Sequence, residues 1–337
     1  MIMEASLFDR LEDKKVECHV CAHECTIKSG KRGICGVREN RNGTLFTLIY
    51  NTVSSEAVDP IEKKPLYNFL PGTLSYSQGT IGCNFRCSHC QNWTISQATI
   101  DQAYTKELTP EQSVARALKS GSASISWTYN EPTIWHEFTY DSAKLAHEAG
   151  LKTIYVTNGY ITEEALRDIS PYLDAFRVDI KAFKDEFYRQ VCGAHLQPVL
   201  DSSVVARELG IHIEVINLII PGKNDNPDEI KALIEWVRDN LGPQTPIHFT
   251  RFYPMYKMDD LVPTPVETLE NAWKMAKDAG IEYPYVGNVT GHQYENTFCP
   301  NCRTLLIDRS GYTVVKNVIT VDKKCPNCGY DISVIIK

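Results

Sequence analysis

Short apolar segments alternate with longer amphipathic segments through most of the chain. Each apolar segment has the length of a buried strand, and the segments between them show helical periodicity, several of them ending in glycine. The predicted strands lie at residues 74–81, 122–128, 152–158, 175–182, 212–220, 246–253 and 282–289. Strict alternation of strands and helices predicts an α/β fold with a parallel sheet and right-handed crossovers. Six or seven such units favour a partial TIM barrel of the (β/α)6 type over a closed barrel of eight units.

The same pattern divides the chain into three parts. The barrel is predicted to span residues 71–290, with an N-terminal segment at 1–70 and a C-terminal module at 291–337. Each of the two flanking parts contains four closely spaced cysteines. We therefore expect a small metal-binding module at each end of the barrel.

Composition and charge narrow the functional classes. Hydrophobic residues make up 43% of the chain and charged residues 23%, which is typical of a soluble globular protein. The formal net charge is −7, whereas a nucleic-acid binder needs a clustered basic face, so nucleic acid is not an expected partner. Basic pairs such as Lys63–Lys64 are interpreted as solvated surface.

Location decides how the cysteines are interpreted. No apolar run reaches the roughly 18 residues that a membrane-spanning helix needs. The first residues are acidic where a secretion signal has a basic start followed by an apolar stretch. We therefore expect a cytoplasmic protein with no membrane partner. In such a reducing compartment, groups of cysteines are more often metal ligands than disulfides.

All but one of the 12 cysteines fall into three sets. The N-terminal set consists of Cys18, Cys21, Cys25 and Cys35. The middle set consists of Cys83, Cys87 and Cys90. The C-terminal set consists of Cys299, Cys302, Cys325 and Cys328. The remaining cysteine, Cys192, is interpreted as a small buried core residue.

The middle set follows the first predicted strand, at the face where parallel barrels form their active sites. Three thiolates on one loop can each bind one iron of a cubane cluster, which leaves the fourth iron without a protein ligand. An open position lets a substrate or cofactor bind the metal directly, as in catalytic zinc sites. The alternative is a zinc site completed by His89.

The Cys-x3-Cys-x2-Cys spacing of the middle set resembles the signature of the radical SAM superfamily. The resemblance implies a 4Fe–4S cluster whose open iron chelates S-adenosylmethionine. One electron from the cluster then cleaves the sulfonium, and the resulting 5′-deoxyadenosyl radical removes a hydrogen atom from the substrate. An electron donor such as a ferredoxin or flavodoxin is implied as a partner.

Residues at later strand ends extend the resemblance towards the activating enzymes of glycyl-radical enzymes. Val156 stands where those activases have an aspartate, which is a departure from their pattern. The resemblance implies cofactor-binding roles for His89, Asn130, Glu131, Pro132, Asn158, Asp179 and Lys181. Singly these motifs are weak, but each falls at the carboxyl end of a predicted strand and therefore faces one cavity.

The flanking parts resemble one subgroup more closely. The segments Cys21–Cys25, Gly33–Asn40 and Tyr285–Val289 are similar to the radical SAM component of the AmmeMemoRadiSam system, which is related to pyruvate formate-lyase activating enzymes. The relationship to activases implies a protein as the substrate or partner, to be activated or modified. A small molecule is the competing substrate class.

The C-terminal set forms two matching Cys-Pro-Asn-Cys knuckles around a predicted hairpin that turns at Arg309–Gly311. This pattern indicates a zinc ribbon or a rubredoxin-like module, and a closed site with four cysteines favours structural zinc. The N-terminal set fits either zinc or a second iron–sulfur cluster. The sequence leaves that choice open.

Two other functions compete with the radical enzyme that acts on a protein. One is a radical SAM enzyme that modifies RNA, in which the ribbon grips the nucleic acid. The other is a metal-ribbon adaptor that binds a partner and has lost the chemistry. The intact middle set argues against the adaptor, and the acidic net charge argues against both functions.

Overall fold

The computed structural model describes residues 1–336, and it begins with short antiparallel strands. They are β1 (Met3–Glu4), β2 (Phe8–Arg10), β3 (Val16–Cys18), β4 (Thr26–Ile27), β5 (Arg38–Arg41), β6 (Thr44–Thr47) and β7 (Thr52–Val53). One small sheet has the order β1-β6-β5 and another has the order β2-β3-β4. These two sheets bring residues 18–38, which contain the N-terminal cysteine set, against the main body of the protein.

A mixed eight-stranded sheet forms the centre of the molecule. After β8 (Ser55–Pro60) and β9 (Leu74–Gly79), β10 (Lys106–Glu107) leaves the sheet to pair with β7. The other members are β11 (Ser124–Trp127), β12 (Lys152–Thr157), β13 (Ala175–Asp179), β14 (His212–Ile219), β15 (Ile247–Arg251) and β16 (Pro284–Gly287). From β9 to β16 neighbouring strands run parallel in chain order, whereas β8 pairs antiparallel with β9.

Helices connect the parallel strands, as the sequence pattern predicts. Their bounds are α1 (Trp93–Ser96), α2 (Pro110–Lys119), α3 (His136–Glu148), α4 (Glu163–Ile169), α5 (Asp185–Phe187), α6 (Gln197–Glu208), α7 (Pro227–Trp236) and α8 (Val266–Asp278). Thr109 and Gln112 form a capping box that begins α2, because each side chain satisfies a backbone amide of the other. Two π-helical turns follow α5 and α7, at Tyr188–Cys192 and Val237–Leu241.

The last part of the chain forms an antiparallel sheet that is joined to the main body by buried polar contacts. It consists of β17 (Thr297–Phe298), β18 (Leu305–Ser310) and β19 (Thr313–Asn317). The buried Arg309 donates to the Tyr67 carbonyl over 2.8 Å and lies 3.7 Å from the Glu62 carboxylate. The C-terminal sheet therefore shares its interior with residues of the predicted N-terminal segment.

The α/β prediction is confirmed, with two differences. All seven predicted strands are present, and each ends a little earlier than predicted. The sheet is mixed because β8, which lies inside the predicted N-terminal segment, adds an antiparallel strand at its edge. The boundary predicted at residue 70 therefore does not coincide with the edge of the sheet. None of the helices within residues 1–336 combines the length and the hydropathy that crossing a membrane requires.

Candidate active site

A cavity of about 510 Å³ opens at the carboxyl ends of the parallel strands. The middle cysteine set lines it, together with nearly all of the residues predicted to bind the cofactor. They are Cys83, Cys87, His89, Cys90, Asn130, Glu131, Asn158, Asp179 and Lys181. Pro132 is the exception, because it is buried as the first residue of a 3₁₀ turn and does not line the cavity.

Backbone contacts from neighbouring segments fix the loop that carries the middle cysteine set. The Arg86 amide donates to the Cys192 carbonyl over 2.7 Å, and the Ser88 amide donates to the Val191 carbonyl over 3.0 Å. Both carbonyls belong to the π-helical turn that follows α5. Gly82 enters the loop with φ +84°, and a Cβ there would lie 2.8 Å from the Cys35 carbonyl oxygen. Only glycine fits this close approach, so the loop is pressed against the N-terminal cysteine set.

Glu131 connects the carboxyl ends of two neighbouring strands. Its buried carboxylate accepts hydrogen bonds from the Thr157 hydroxyl at 2.6 Å, the Asn158 amide at 2.8 Å and the Thr133 amide at 3.0 Å. Burial raises the pKa of Glu131, and these hydrogen bonds oppose the rise. A carboxylate can accept about four hydrogen bonds, so one position remains for a ligand.

Asn130 and Asn158 use their side chains to position the cysteine loop. Asn130 accepts from the Thr80 amide at 3.0 Å and donates to the Gly82 carbonyl at 2.8 Å. Asn158 donates to the Asn84 side chain at 2.8 Å, next to Cys83. The two asparagines therefore support the loop from both sides, although both also line the cavity.

A row of three charged residues runs along the carboxyl end of β13 and into the cavity. Arg177 and Lys181 both contact the Asp179 carboxylate, and the Lys181 Nζ lies 3.2 Å from Asp179 Oδ2. Burial alone would raise the pKa of Asp179, but the two cations lower it. Asp179 in turn raises the pKa of Lys181 against the effect of burial. The row therefore stays ionised and carries one net positive charge.

His89 presents a neutral ring to the cavity. The side chain is buried, and its Nδ1 has no hydrogen-bond partner within residues 1–336. Burial and the charge of Lys181 lower the pKa of His89 to about 3. The ring is thus uncharged at neutral pH, and one of its nitrogens is available to a ligand.

A second polar group, which the sequence pattern does not indicate, also lines the cavity. The buried Lys64 contacts Ser77 and Asp59, and Asp59 also accepts from Lys63 at 2.8 Å and from the Tyr129 hydroxyl at 2.9 Å. Burial alone would raise the pKa of Asp59, but these donors lower it to about 2. Burial lowers the pKa of Lys64 to about 8.

The surface interpretation of Lys63–Lys64 is therefore wrong for Lys64, whose side chain is 4% exposed. The error has a physical reason. Residues 55–60 form an edge strand whose antiparallel pairing turns this region towards the cavity, and no local pattern in the sequence indicates that pairing. Arg177 was missed similarly, because a single charge inside an apolar strand segment gives no signal of a shared site.

The C-terminal cysteine set comes together as the sequence predicts. Its four ligand sulfurs all lie within 4.8 Å of one another, and the Cys299–Cys328 and Cys302–Cys325 sulfur pairs are each 3.6 Å apart. Four thiolates around one tetrahedral zinc, at about 2.3 Å each, stand roughly 3.8 Å apart. The group therefore fits a single metal ion.

The N-terminal cysteine set also gathers, but more loosely. All four cysteines line a space of about 10 Å³ together with the buried Arg38. Of the two histidines in this stretch, His23 contacts the Asn84 carbonyl at 2.8 Å and His19 contacts Asp9 at 3.2 Å. Neither histidine lines the space between the cysteines.

Comparison with known proteins agrees with the geometry. The radical SAM superfamily model matches residues 77–237. An uncharacterized protein of Methanocaldococcus jannaschii is 48% identical over 336 residues, which cover 99% of each chain. The pyruvate formate-lyase-activating enzyme of Clostridium pasteurianum is 26% identical over 164 residues, covering 47% of this chain and 67% of that enzyme. Streptococcus suis SuiB bound to S-adenosylmethionine gives a TM-score of 0.52 at 11% identity, covering 69% of this chain and 54% of SuiB.

The chain therefore belongs to the radical SAM superfamily. Membership brings with it a 4Fe–4S cluster and the cleavage of S-adenosylmethionine. The likeness to SuiB shows the shared α/β fold alone. The residues at the cavity fit both groups, because three cysteines face it, a histidine nitrogen lacks a partner and Glu131 retains one free position.

Proposed function

We propose that this protein is a radical SAM enzyme that removes a hydrogen atom from another protein and thereby activates or modifies it. The observation that supports the chemistry is the placement of three cysteines and the charged row of β13 around one cavity. Within residues 1–336, no fourth cysteine lines that cavity, and Cys192 is buried beside Cys87 outside it. The middle cysteine set would therefore bind a cluster with one open iron.

The remaining residues would bind and orient S-adenosylmethionine. When bound, the cluster would supply the electron for the reductive cleavage of the sulfonium, and the cavity residues would hold S-adenosylmethionine in place. Lys181 is suited to the carboxylate of S-adenosylmethionine, and Glu131 has one position left for its amino group. His89 would lie against the adenine as a neutral, flat ring. Asn130 and Asn158 would act indirectly, by holding the cysteine loop.

The first prediction concerns Lys181. Lys181→Ala removes one charged donor, so we expect the affinity for S-adenosylmethionine to fall by about 2 kcal/mol, or roughly thirtyfold. Isothermal titration of the reconstituted protein measures the affinity, and the visible absorption of the cluster should not change. Lys223→Ala is the matched control, because Lys223 is exposed and does not line the cavity. Equal affinities of the Lys181 variant and the control would remove Lys181 from the site.

Two observations, a sequence similarity and the size of the cavity, support a protein substrate. The similarity to the pyruvate formate-lyase-activating enzyme extends over about half of this chain. A cavity of about 510 Å³ suits one drug-sized ligand. Because S-adenosylmethionine has that size, it would fill most of the space and leave room for only the reacting group of a substrate. The rest of the substrate would then remain outside the cavity.

An aromatic pair lies beside the cavity and supports docking of a partner. Trp93, which is 41% exposed, stacks on Tyr256 with ring centroids 5.1 Å apart. The neighbouring Asn92 lines the cavity, and the Lys257 amide donates to the Ser88 carbonyl of the cysteine loop. Exposed tryptophan and tyrosine are favoured at the centres of protein interfaces. We further propose that the main sheet is a partial barrel, and that a loop of the partner enters it at the carboxyl ends of its strands, where the cavity opens.

Hydrogen transfer identifies the substrate class. The reconstituted enzyme is incubated anaerobically with S-adenosylmethionine, a reductant and a lysate from cells grown in heavy water, separated by size. We expect deuterium in 5′-deoxyadenosine only with the macromolecular fraction, and protease should abolish it. Transfer from the small-molecule fraction alone would contradict the protein substrate, and sensitivity to ribonuclease would indicate RNA.

Similarity at the flanking cysteines also leads us to propose a role as the radical SAM component of the AmmeMemoRadiSam system.

The second prediction concerns the C-terminal cysteine set, which we propose binds structural zinc. Cys325→Ala in the full chain should remove one zinc per chain without changing the iron content, and it should lower the melting temperature. Metal analysis by mass spectrometry measures both contents. Cys192→Ala serves as the control, because Cys192 is buried beside Cys87 and belongs to neither knuckle. Loss of one iron instead of zinc would indicate a rubredoxin-like site.

A further inference from the structure

We infer that the N-terminal cysteine set, Cys18, Cys21, Cys25 and Cys35, binds an iron–sulfur cluster rather than a single zinc ion. The inference goes beyond the proposed function, because it concerns a different site with its own ligands. It rests on how far apart the sulfurs stand, on what surrounds them and on where they lie.

The C-terminal cysteine set provides an internal standard for the distances. Within residues 1–336, it is the only one of the three cysteine sets whose ligand sulfurs all lie within 4.8 Å of one another. The N-terminal and middle sets are both more open. A cubane bears its four thiolates on four different irons, so it requires a wider arrangement than a single ion. In spacing, the N-terminal set therefore resembles the set proposed for the catalytic cluster.

The space between the four cysteines leads to the same conclusion. It measures about 10 Å³, which is close to the room that one water molecule needs. Four sulfurs about 2.3 Å from a common zinc centre would leave no such room. The N-terminal cysteines therefore surround more room than a tetrahedral zinc site has. A cubane core is larger than one water molecule, so its binding would move these sulfurs further apart.

The walls of this space suit an anionic group shielded from water. Val20, Ile27 and Ile134 give it an apolar lining. The buried Arg38 also lines it, and the two terminal nitrogens of its guanidinium pair with Glu137. The Arg38 Nε has no hydrogen-bond partner within residues 1–336. A four-thiolate centre carries net negative charge, so an unpartnered guanidinium N–H beside it is favourable.

The N-terminal set lies directly behind the loop that carries the middle cysteine set. The Cys35 carbonyl approaches Gly82, His23 contacts the Asn84 carbonyl at 2.8 Å, and the Ala22 amide donates to the Tyr160 carbonyl. Gly82 and Asn84 are the two chain neighbours of Cys83. A cluster here would therefore stand close to the cluster of the middle set. It would be placed to pass on the one electron that each cleavage consumes, after a ferredoxin- or flavodoxin-type donor has reduced it.

The test uses the full chain without the catalytic cluster. The Cys83→Ala, Cys87→Ala and Cys90→Ala variant is reconstituted anaerobically with iron and sulfide, and its iron, sulfide and zinc contents are measured. We expect about four iron and four sulfide per chain, and a paramagnetic resonance signal after reduction. Adding Cys25→Ala should remove the signal and the iron. Two zinc and no iron per chain would overturn the inference.

A second measurement does not depend on how the Cys25 variant folds. In the reduced wild-type protein, two neighbouring paramagnetic clusters should broaden each other's resonance signals. The wild-type spectrum should therefore differ from that of the variant without the catalytic cluster by more than one added signal. A wild-type spectrum of a single isolated cluster would contradict the inference, while leaving the proposed function intact.

Discussion

Replacing Cys83, Cys87 and Cys90 together by alanine is expected to abolish the cleavage of S-adenosylmethionine. These three cysteines line the cavity, and no other cysteine within residues 1–336 does so. Without their thiolates the proposed open-iron cluster would have no ligands, and no electron would reach the sulfonium. Formation of 5′-deoxyadenosine, measured by chromatography after anaerobic reconstitution, should fall to the level without enzyme.

Cys192→Ala is the matched control for this loss. Cys192 is fully buried and its thiol lies beside Cys87, yet it does not line the cavity. We expect this variant to retain its cluster and to form 5′-deoxyadenosine, with a modest loss of stability from the small space that the thiol leaves. Full cleavage activity in the triple variant would show that another set of cysteines binds the catalytic cluster.

Glu137→Ala is expected to have the largest effect on stability. Glu137 on α3 forms a bidentate ion pair with Arg38 of β5, with nitrogen–oxygen distances of 2.6 Å and 2.9 Å. The two side chains are 4% and 2% exposed, and the Ser6 amide also donates to Glu137. Removing the carboxylate breaks both of its hydrogen bonds to a buried guanidinium and removes the counter-charge paired with it, which typically costs about 3–5 kcal/mol. Native domains have only about 5–15 kcal/mol of stability in total.

Urea unfolding of the metal-loaded protein measures this effect as a shift of the midpoint. Glu163→Ala is the control, because Glu163 pairs with Arg167 on the surface of α4, where such pairs contribute about 0.3–0.5 kcal/mol. Replacing Arg38 by Met together with Glu137→Leu should recover part of the loss, since no charge is then left unpaired. A Glu137 variant as stable as the Glu163 variant would show that the pair does not anchor the N-terminal sheets to α3.

The metal sites differ in how far local spacing determines them. Cys299 and Cys302 form one knuckle, Cys325 and Cys328 form the other, and the hairpin between them follows a local pattern. Their approach to a common point could therefore be predicted. Spacing could not decide between zinc and a cluster for the N-terminal set, because the distances between its sulfurs depend on how β3 and the following loops pack.

The sequence by itself determined the alternation of strands and helices, the cysteine loop after β9 and the placement of Glu131, Asp179 and Lys181 at strand ends. These features depend on residues that are close together along the chain, so periodicity and spacing record them. Only the tertiary structure decided that Lys64 and Asp59 reach the cavity and that the N-terminal cysteine set lies behind Gly82. Those contacts join distant segments through the antiparallel edge strand β8 and through side-chain packing. Local sequence carries no signal of either, because burial of a charged residue depends on partners that the fold brings from elsewhere.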